Sequence, residues 1–367
     1  MGSDVVFVIV VVTALAFDFT NGFHDTATAV ATSISTRAMS PRLAVTMAAL
    51  LNFAGAFISL KVAATVGSGI VESTAVTPTI VFAGLIGAIA WNLITWYFGL
   101  PSSSSHALIG GLVGSMIAAT GTGNVIASGL VGKVFIPAII APVLAFLAAV
   151  IGILVIYRVV AALRPGPVTK GFKLGQIASG GLLALAHGTN DAQKTMGVIT
   201  LALIAHGDIS PNNFHVPQWV VIAAASAIAL GTYSGGWRII RTVGSRIIKM
   251  DSAQGFSAQG AGAAVILAAS HYGYPLSTTH VISGGVMGAG AAKRLSAVRW
   301  GVAGNIVAAW IVTIPAAGLM GALTYGITRI FGTGAVGPLV VSIALLLAIA
   351  LVFARRLQQG PALTAEA

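Results

Sequence analysis

Residues 99–106 read GLPSSSSH, and residues 273–280 read GYPLSTTH. Aligned in register, the two stretches share Gly, Pro, Ser and His, and two adjacent glycines follow at the same distance in both. Each stretch is a polar interruption in a long apolar piece of chain, 79–120 in the first case and 255–291 in the second. The matched pair indicates an internal repeat in which each copy contains one hydroxyl-rich tip.

The composition is that of an all-α polytopic membrane protein. Of 367 residues, 57% are hydrophobic and 7% are charged, and the mean hydropathy is +0.96. Apolar stretches of about 20 residues, enough to cross a bilayer, recur along the chain. The first of them is expected to be a membrane segment rather than a cleaved signal peptide, because it begins MGSDVVFVIV without a basic region. The absence of cysteine excludes disulfide and thiolate chemistry.

The net charge of +11 comes from basic residues that cluster in a few polar breaks. This clustering favours topology signals and contacts with anionic lipid over nucleic-acid binding. Fifteen of the 19 Lys and Arg residues lie near 37–42, 158–173, 238–249, 293–299 and 355–356. By the positive-inside rule these breaks are cytoplasmic, which places the N-terminus outside and the C-terminus in the cytoplasm. We therefore expect a multi-pass protein of the cytoplasmic (inner) membrane.

The same charge pattern predicts the course of the chain. Crossings are expected at 4–36, 42–62, 126–157, 173–205, 218–237, 298–328 and 339–354. The pieces 79–120 and 255–291 must each enter and leave on one face. They are interpreted as two re-entrant helical hairpins. Two full crossings per piece are the alternative, although 277–291 is short for a crossing.

These segments divide the chain into two halves of opposite orientation. The predicted parts are a first repeat (1–157), a cytoplasmic basic linker (158–173), a second repeat (174–330), and an extra C-terminal transmembrane helix with a tail (331–367). Because the first repeat starts outside and the second starts inside, the repeat has inverted topology. That arrangement is typical of secondary transporters.

Three acidic residues fall inside predicted membrane segments: Asp18, Asp25 and Asp191. An intramembrane carboxylate is costly and is a functional candidate by default. Asp25 and Asp191 are mates in the repeat, since NGFHDTATAVAT (21–32) matches HGTNDAQKTMGV (187–198), whereas Asp18 has Ala184 in the mate position. A purely structural pairing of these carboxylates with Lys194 or a histidine is the alternative.

Segments 4–36 and 173–205 are long for one crossing, so each is expected to be tilted or broken. A break at Asn21-Gly22 or at Gly188-Thr189-Asn190 would free backbone carbonyls beside the carboxylate. Carboxylate, amide and carbonyl oxygens are hard ligands, suited to Na⁺ or to a proton carrier. We predict a coupling-cation site at Asp25, Asp191, Asn21 and Asn190, in which Asp25 and Asp191 bind the metal if it is sodium, with Asp18 as a further candidate.

The two tips are predicted to bind an oxyanion. In each tip a proline is followed by hydroxyl residues and then by a helical run, which is a helix start. One cap residue suffices for a helix, and here there are three or four hydroxyls. A helix N-terminus offers free N–H groups and a positive dipole end to an anion. We assign the anion site to Ser103, Ser104, Ser105, Ser277, Thr278 and Thr279, and we expect Ser102, whose mate is Leu276, to be a plain cap.

Four further residues are second-rank candidates for the same site. His106 and His280 directly follow the hydroxyl runs and are equally suited to a bond between helices or to contact with substrate or proton. His24 precedes Asp25, and Lys194 follows Asp191 within one helical turn. Lys194 is expected either to neutralise an intramembrane carboxylate or to snorkel, without direct contact to the anion.

GFHDTATAVATSISTRAMSP (22–41), AHGTNDAQKTMGVI (186–199) and the two tips resemble the inorganic phosphate transporter (PiT) family in its bacterial form. The resemblance covers nearly the whole chain. It implies symport of inorganic phosphate with Na⁺ or H⁺, a duplicated inverted fold and a homodimer. It also implies that Asp25 and Asp191 are the signature aspartates. Asn52 stands where sodium-coupled eukaryotic members resemble each other in having a glutamate, so the coupling ion stays open.

The expected function is therefore cation-coupled phosphate symport across the cell membrane. The expected partners are inorganic phosphate, a monovalent cation and the lipid bilayer, with no resident cofactor beyond the transported ions. A sulfate symporter of the same fold and an anion channel are the alternatives. An enzyme is not expected, because the aspartates lie in glycine- and asparagine-containing motifs without a nucleophile–base pair.

Overall fold

The computed structural model describes residues 2–358, which are helical almost throughout. The helices of the first half are α1 (Gly2–Ser35), α2 (Pro41–Gly55), α3 (Lys61–Ser68), α4 (Pro78–Phe98), α5 (Ser104–Thr120), α6 (Ala127–Gly129) and α7 (Ile136–Val160). A π-helical turn over residues 130–135 joins α6 to α7, so residues 127–160 form one long helix.

The helices of the second half follow the same order of long and short elements. They are α8 (Pro165–His206), α9 (Gln218–Ser234), α10 (Trp237–Arg241), α11 (Ser252–His271), α12 (Thr278–Lys293), α13 (Trp300–Ile330) and α14 (Val336–Gln358). The loop between the halves covers only residues 161–164, so it is shorter than the predicted linker 158–173. Pro165 begins α8 because its fixed φ suits the first turn of a helix. Residues 359–367, at the end of the predicted element 331–367, lie outside the described residues.

Four of the described helices are long and apolar enough to cross a membrane, namely Ser3–Ser35, Pro78–Phe98, Ala127–Val160 and Trp300–Ile330. A fifth span results if Gln218–Ser234 and Trp237–Arg246, which meet at 60°, are counted together. The chain is thus an all-α multi-pass membrane protein. Helix α8 is not among these spans, because its inner part is polar and buried against protein.

Helices α1 and α8 lie in contact at the centre of the molecule and run antiparallel. One apolar cluster contains the first part of α1 and the last part of α8, and a second contains the end of α1 and the middle of α8. His206 at the end of α8 has its Nε2 3.2 Å from Asp4 Oδ1 at the start of α1. The polar residues 18–26 of α1 and 187–191 of α8 therefore lie between the two apolar clusters.

Of the two alternatives expected for these central helices, a tilt or a break, the break does not occur, because both helices are continuous through their glycines. The glycines serve close packing instead. A Cβ on Gly22 would collide with the carbonyl oxygen of Ile228 in α9, and a Cβ on Gly188 would collide with that of Asn52 in α2. Glycine thus allows the neighbouring backbones to approach, as small residues do in membrane helix pairs.

The predicted crossing segment 42–62 is not one continuous helix. Helix α2 ends at Gly55 after 15 residues, roughly 22 Å, which is shorter than the hydrocarbon core of about 30 Å. The chain restarts as α3 at Lys61, and the first N–H groups of α3 are bound from outside the helix. Gln193 of α8 accepts from Val62 N at 2.8 Å and from Ala63 N at 3.3 Å through its Oε1. A side chain distant in sequence therefore supplies the acceptor that this helix start needs.

The two pieces with polar tips fold as helix pairs, α4 with α5 and α11 with α12, and their tips have matching backbone features. Gly99 and Gly273 begin the tips with φ of +66° and +75°, values that favour glycine. Each helix that leaves a tip is capped by a serine: Ser103 accepts from the backbone N of His106, and Ser277 from that of His280. The sequence repeat is therefore also a repeat of local structure.

The prediction that Ser102 is the cap is wrong, because Ser103 caps α5. The Ser102 hydroxyl instead donates to Thr95 Oγ1 at 2.8 Å and lies 3.4 Å from His24 Nε2. Proline does not occupy the first helical turn here, since Pro101 lies in the extended part of the tip. The helix consequently starts two residues later than a start directly after proline would place it.

Candidate functional site

Two buried carboxylates face each other between the central helices. Asp25 of α1 is 2% exposed and Asp191 of α8 is fully buried. One ligand atom each from Asp25, Asp191 and His187 lie within 4.8 Å of one another. The antiparallel packing of α1 and α8 brings these residues together, although the chain separates the two aspartates by an entire repeat.

The Asp25 carboxylate is surrounded by donors from both tips. Ser104 of the first tip donates to Asp25 Oδ2 at 2.5 Å, and Thr279 of the second donates to Oδ1 at 3.1 Å. His24 Nδ1 lies 2.8 Å from Oδ1. Asn21 Oδ1, one turn earlier on α1, lies 2.7 Å from the same Ser104 hydroxyl oxygen. Both hydroxyl-rich tips therefore reach the same carboxylate.

The Asp191 carboxylate is held chiefly by a cation of the protein itself. Lys194 Nζ lies 2.6 Å from Asp191 Oδ1, with His187 Nε2 and Asn21 Nδ2 each 3.4 Å from Oδ2. Lys194 is 1% exposed, so it does not snorkel. Its ammonium also donates to Ser105 Oγ at 2.5 Å. Of the two roles predicted for Lys194, the structure favours neutralisation of an intramembrane carboxylate.

The two tips also contact each other directly. Ser105 of the first tip donates to the carbonyl oxygen of Leu276 in the second at 3.0 Å, and Lys194 donates to the same carbonyl at 2.7 Å. Behind the tips, the rings of His106 and His280 meet edge to face at 4.7 Å. The ring of His280 is stacked on Trp310 at 3.9 Å. The two histidines thus join the hairpins, and His280 packs on α13.

The six predicted hydroxyl residues divide into groups. Ser104, Ser105 and Thr279 lie in the carboxylate cluster. Ser103 and Ser277 accept the capping bonds of their helices. The Thr278 hydroxyl is buried and has no hydrogen-bond partner among the described residues, although its mate Ser104 has two.

Asn190 faces away from the aspartate that follows it. Its Nδ2 donates to Ser270 Oγ at 2.8 Å and to the carbonyl of Tyr274 at 3.0 Å, at the start of the second tip. Its Oδ1 is buried without a hydrogen-bond partner in the described chain. Asn190 therefore holds α8 to the second hairpin with one end of its amide, and its oxygen remains available as a ligand.

Asp18 lies about two turns before Asp25 on α1 and is fully buried. Neither of its carboxylate oxygens has a hydrogen-bond partner among the described residues, although Thr195 of α8 lies beside it. The Thr195 hydroxyl is likewise without a hydrogen-bond partner there. Asp18 is thus adjacent to the cluster but not part of its hydrogen-bond network.

Sequence reasoning missed two residues that complete the network. His187 is the mate of Asn21, so the repeat alignment itself could have nominated it. His187 Nδ1 lies 3.1 Å from Asn52 Oδ1, which extends the network to α2. Thr95 lies 3.1 Å from His24 Nε2 through its Oγ1, and no pattern in the sequence distinguishes it from a packing residue of α4.

The cluster offers carboxylate, amide, carbonyl and hydroxyl oxygens, the donors that hard monovalent and divalent cations prefer. The hydroxyls and the capped helix starts offer hydrogen-bond donors and positive dipole ends to an anion. One buried cluster, shared by both tips, thus contains groups suited to a cation and groups suited to an oxyanion.

Comparison with known proteins shows which family this chain resembles. The model of the Phosphate transporter family matches residues 21–321. Proteins described as probable low-affinity inorganic phosphate transporters are similar over most of their length. The one of Mycobacterium tuberculosis (strain ATCC 25618 / H37Rv) is 54% identical over 88% of this chain and 78% of its own. That of Rhizobium meliloti is 50% identical over 85% and 93%, and that of Bacillus subtilis 44% over 87% and 96%.

A solved structure titled "The sodium-dependent phosphate transporter" is similar in fold. It superposes with a TM-score of 0.80 at 24% sequence identity and covers 89% of this chain and 99% of its own. The family model and the curated relatives confirm the resemblance inferred from the two repeat motifs and the tips. The relatives are transporters rather than enzymes. The chain belongs to the Phosphate transporter family.

Proposed function

We propose that this protein is a secondary active transporter that moves inorganic phosphate across the cytoplasmic membrane in symport with Na⁺ or H⁺. One observation carries the proposal: hydroxyl-rich tips from both halves meet at two buried carboxylates between two apolar clusters. The family supports phosphate as the substrate. Cation coupling follows from the carboxylates, because an anion cannot enter beside them unless their charge is compensated.

The phosphate site is proposed at the tips, with Ser103, Ser104, Ser105, Ser277, Thr278 and Thr279 as its residues. Hydroxyls and helix N-termini are neutral donors, which suit an oxyanion inside a membrane without requiring a free basic side chain. The unpartnered hydroxyl of Thr278 supports the assignment, because it donates to no group among the described residues. His106 and His280 are proposed to position the two tips.

The coupling cation is proposed at Asp25 and Asp191, with Asn21 and Asn190 as further ligands and Asp18, His24 and Lys194 as neighbours of the site. In the structure Ser104 and Thr279 give their hydrogens to Asp25. A phosphate at the tips needs the same hydrogens. A Na⁺ or a proton on Asp25 would free them and remove the repulsion between carboxylate and phosphate. Competition for shared donors is therefore the proposed physical basis of coupling.

The membrane arrangement is proposed to be an inverted repeat with two re-entrant hairpins. The antiparallel course of the mates α1 and α8 supports the inversion. The N-terminus is proposed to lie outside and the C-terminus in the cytoplasm, by the charge of the loops. A homodimer in the lipid bilayer, with no further cofactor, is proposed on the family resemblance.

The proposal is tested by initial rates of labelled phosphate uptake into proteoliposomes that contain the purified protein. Three conditions are compared: an inward Na⁺ gradient, an inward proton gradient, and no gradient. We expect one of the two gradients to drive uptake, and excess unlabelled sulfate to leave it largely unchanged. Uptake that is equal in all three conditions would contradict symport. Uptake abolished by sulfate at equal concentration would favour the sulfate alternative.

A further inference from the structure

The two halves of the carboxylate site carry different charges. Aligning 21–32 with 187–198 places Lys194 opposite Thr28. The Thr28 hydroxyl donates to the carbonyl oxygen of Asp25 at 2.7 Å within its own helix and carries no charge. The first half therefore has no counterpart to the Lys194 ammonium.

The surroundings of the ammonium are those of a bound cation. Lys194 Nζ lies within 2.7 Å of three oxygens, each of a different kind: a carboxylate oxygen of Asp191, the hydroxyl of Ser105 and the carbonyl oxygen of Leu276. They come from α8, from the first tip and from the second tip. Hard cations in proteins take carboxylate, hydroxyl and carbonyl oxygens as ligands. An ammonium has three N–H donors, and these three oxygens account for all of them.

The Lys194–Asp191 ion pair is buried and is not a surface salt bridge. Lys194 is 1% exposed and Asp191 is fully buried, so neither charge is screened by solvent. An ammonium in such a place requires compensation by a partner and by further hydrogen bonds, and Lys194 has both. The pair is therefore a permanent part of the folded site rather than a surface contact.

We propose that the Lys194 ammonium is a tethered cation that occupies the position of a second coupling ion, so that the transported cation binds on the Asp25 side. The inference rests on the proposed function and narrows its cation site from the two aspartates to Asp25. Among the described residues, Asp25 accepts hydrogen bonds from two neutral hydroxyls and lies beside His24, with His187 and Asp191 within 4.8 Å. No lysine or arginine of the described chain pairs with it, so it is the carboxylate whose charge still needs compensation. The ammonium also contacts both tips, so the contact between the tips does not require an ion at Asp191.

The test measures how Na⁺ affects the thermal stability of the purified protein in detergent, followed by intrinsic fluorescence, with choline replacing Na⁺ at constant ionic strength. Lys194→Ala leaves Asp191, Ser105 and Leu276 as an empty ligand set. We expect this variant to gain a Na⁺-dependent rise in Tm, by about 2 to 4 °C beyond that of the wild type. Lys194→Arg, which keeps the charge, should respond as the wild type does.

Lys170→Ala is the matched control, because it removes an exposed lysine from the same helix. Equal Na⁺ responses in Lys194→Ala and in the wild type would overturn the inference. So would loss of phosphate-dependent stabilisation without any change in the Na⁺ response, since that result identifies Lys194 as a phosphate ligand.

A second variant covers the case in which Lys194→Ala does not fold. Asp191→Asn combined with Lys194→Met removes both charges of the pair at once. The cation that stabilises the wild type, Na⁺ or protons, should still stabilise this variant and should no longer stabilise Asp25→Asn. The opposite pattern overturns the inference. These readings do not need transport, so a failure of phosphate uptake in the wild type counts against the proposed function alone.

Discussion

The Asp25 half and the Asp191 half of the site have similar backbone structures but different side chains around the carboxylate. Both tips begin at a glycine with positive φ, and both exit helices are capped by serine. Four of the aligned positions that differ change a charged or ligating side chain: Asp18 against Ala184, Asn21 against His187, His24 against Asn190, and Thr28 against Lys194. The difference teaches that duplication kept the backbone that builds the site, while the charge balance of each carboxylate changed separately.

The clearest way to break this comparison is to neutralise each aspartate in turn. Asp25→Asn is expected to reduce gradient-driven phosphate uptake to background, because a neutral amide carries no charge to balance a bound Na⁺ and cannot take up a proton. The protein should remain folded, since Asp25 has neutral hydroxyl partners and no permanent cation. Uptake into proteoliposomes is the measurement, with Asp208→Asn, an exposed acidic position, as the control. Unchanged uptake by Asp25→Asn would remove the aspartate from the coupling site.

Neutralising the mate should give a different phenotype. Asp191→Asn leaves the buried Lys194 ammonium without its carboxylate, and breaking a buried pair costs about 3–5 kcal/mol. We expect a marked fall in Tm and in the yield of folded protein, measured by fluorescence melting and size-exclusion chromatography. Adding Lys194→Met should restore much of that stability. If Asp191→Asn melts like the wild type, the buried pair does not hold the second half as described.

The next prediction compares two mated hydroxyl residues, one in each tip. Ser104→Ala removes a hydroxyl that donates to Asp25, whereas Thr278→Val removes a hydroxyl that has no partner. Hydrogen bonds to charged groups contribute about 1.5–3 kcal/mol. We therefore expect Ser104→Ala to change the KM for phosphate by about 10- to 100-fold. Thr278→Val should affect KM without altering the cation dependence of uptake. Equal changes of cation dependence in both variants would mean that the tips are not specialised.

The smallest expected effect concerns a position outside the charged groups. Gln193 caps α3 through its Oε1, and its mate Ala27 has no such role. Gln193→Leu should therefore lower stability by about 1 kcal/mol, the usual value of a helix cap. The measurement is the Tm of Gln193→Leu relative to the wild type. Gln218→Leu, at an exposed position, is the control. No change in Tm would show that α3 starts without this acceptor.

The features that could be predicted from the sequence are those that occur in both repeats. The hairpins, the mated aspartates and the hydroxyl tips recur in register, so their position in the fold could be inferred before any coordinates. Helix α1 and helix α8 are continuous rather than broken, because Gly22 and Gly188 serve packing against other helices. The sequence alone does not distinguish a glycine that allows close helix packing from a glycine that breaks a helix.

The interactions that sequence reasoning missed depend on contacts between distant segments. The end of α2 at Gly55 and the cap of α3 by Gln193 both require α8 in place. The serine that caps α5 was misplaced by one residue, because adjacent serines differ only in where the tip turns. The pairing of Lys194 with Asp191 was open in the sequence, where snorkelling was equally consistent with its position.

The central claim is that phosphate movement is coupled to a cation at the carboxylate pair. The most direct test is the steady-state ratio of phosphate inside to outside in proteoliposomes under a known cation gradient, with the membrane voltage held at zero. Coupling predicts a ratio above one that rises with the imposed gradient and falls to one in Asp25→Asn. A ratio of one at every gradient in the wild type, as an anion channel gives, would contradict it.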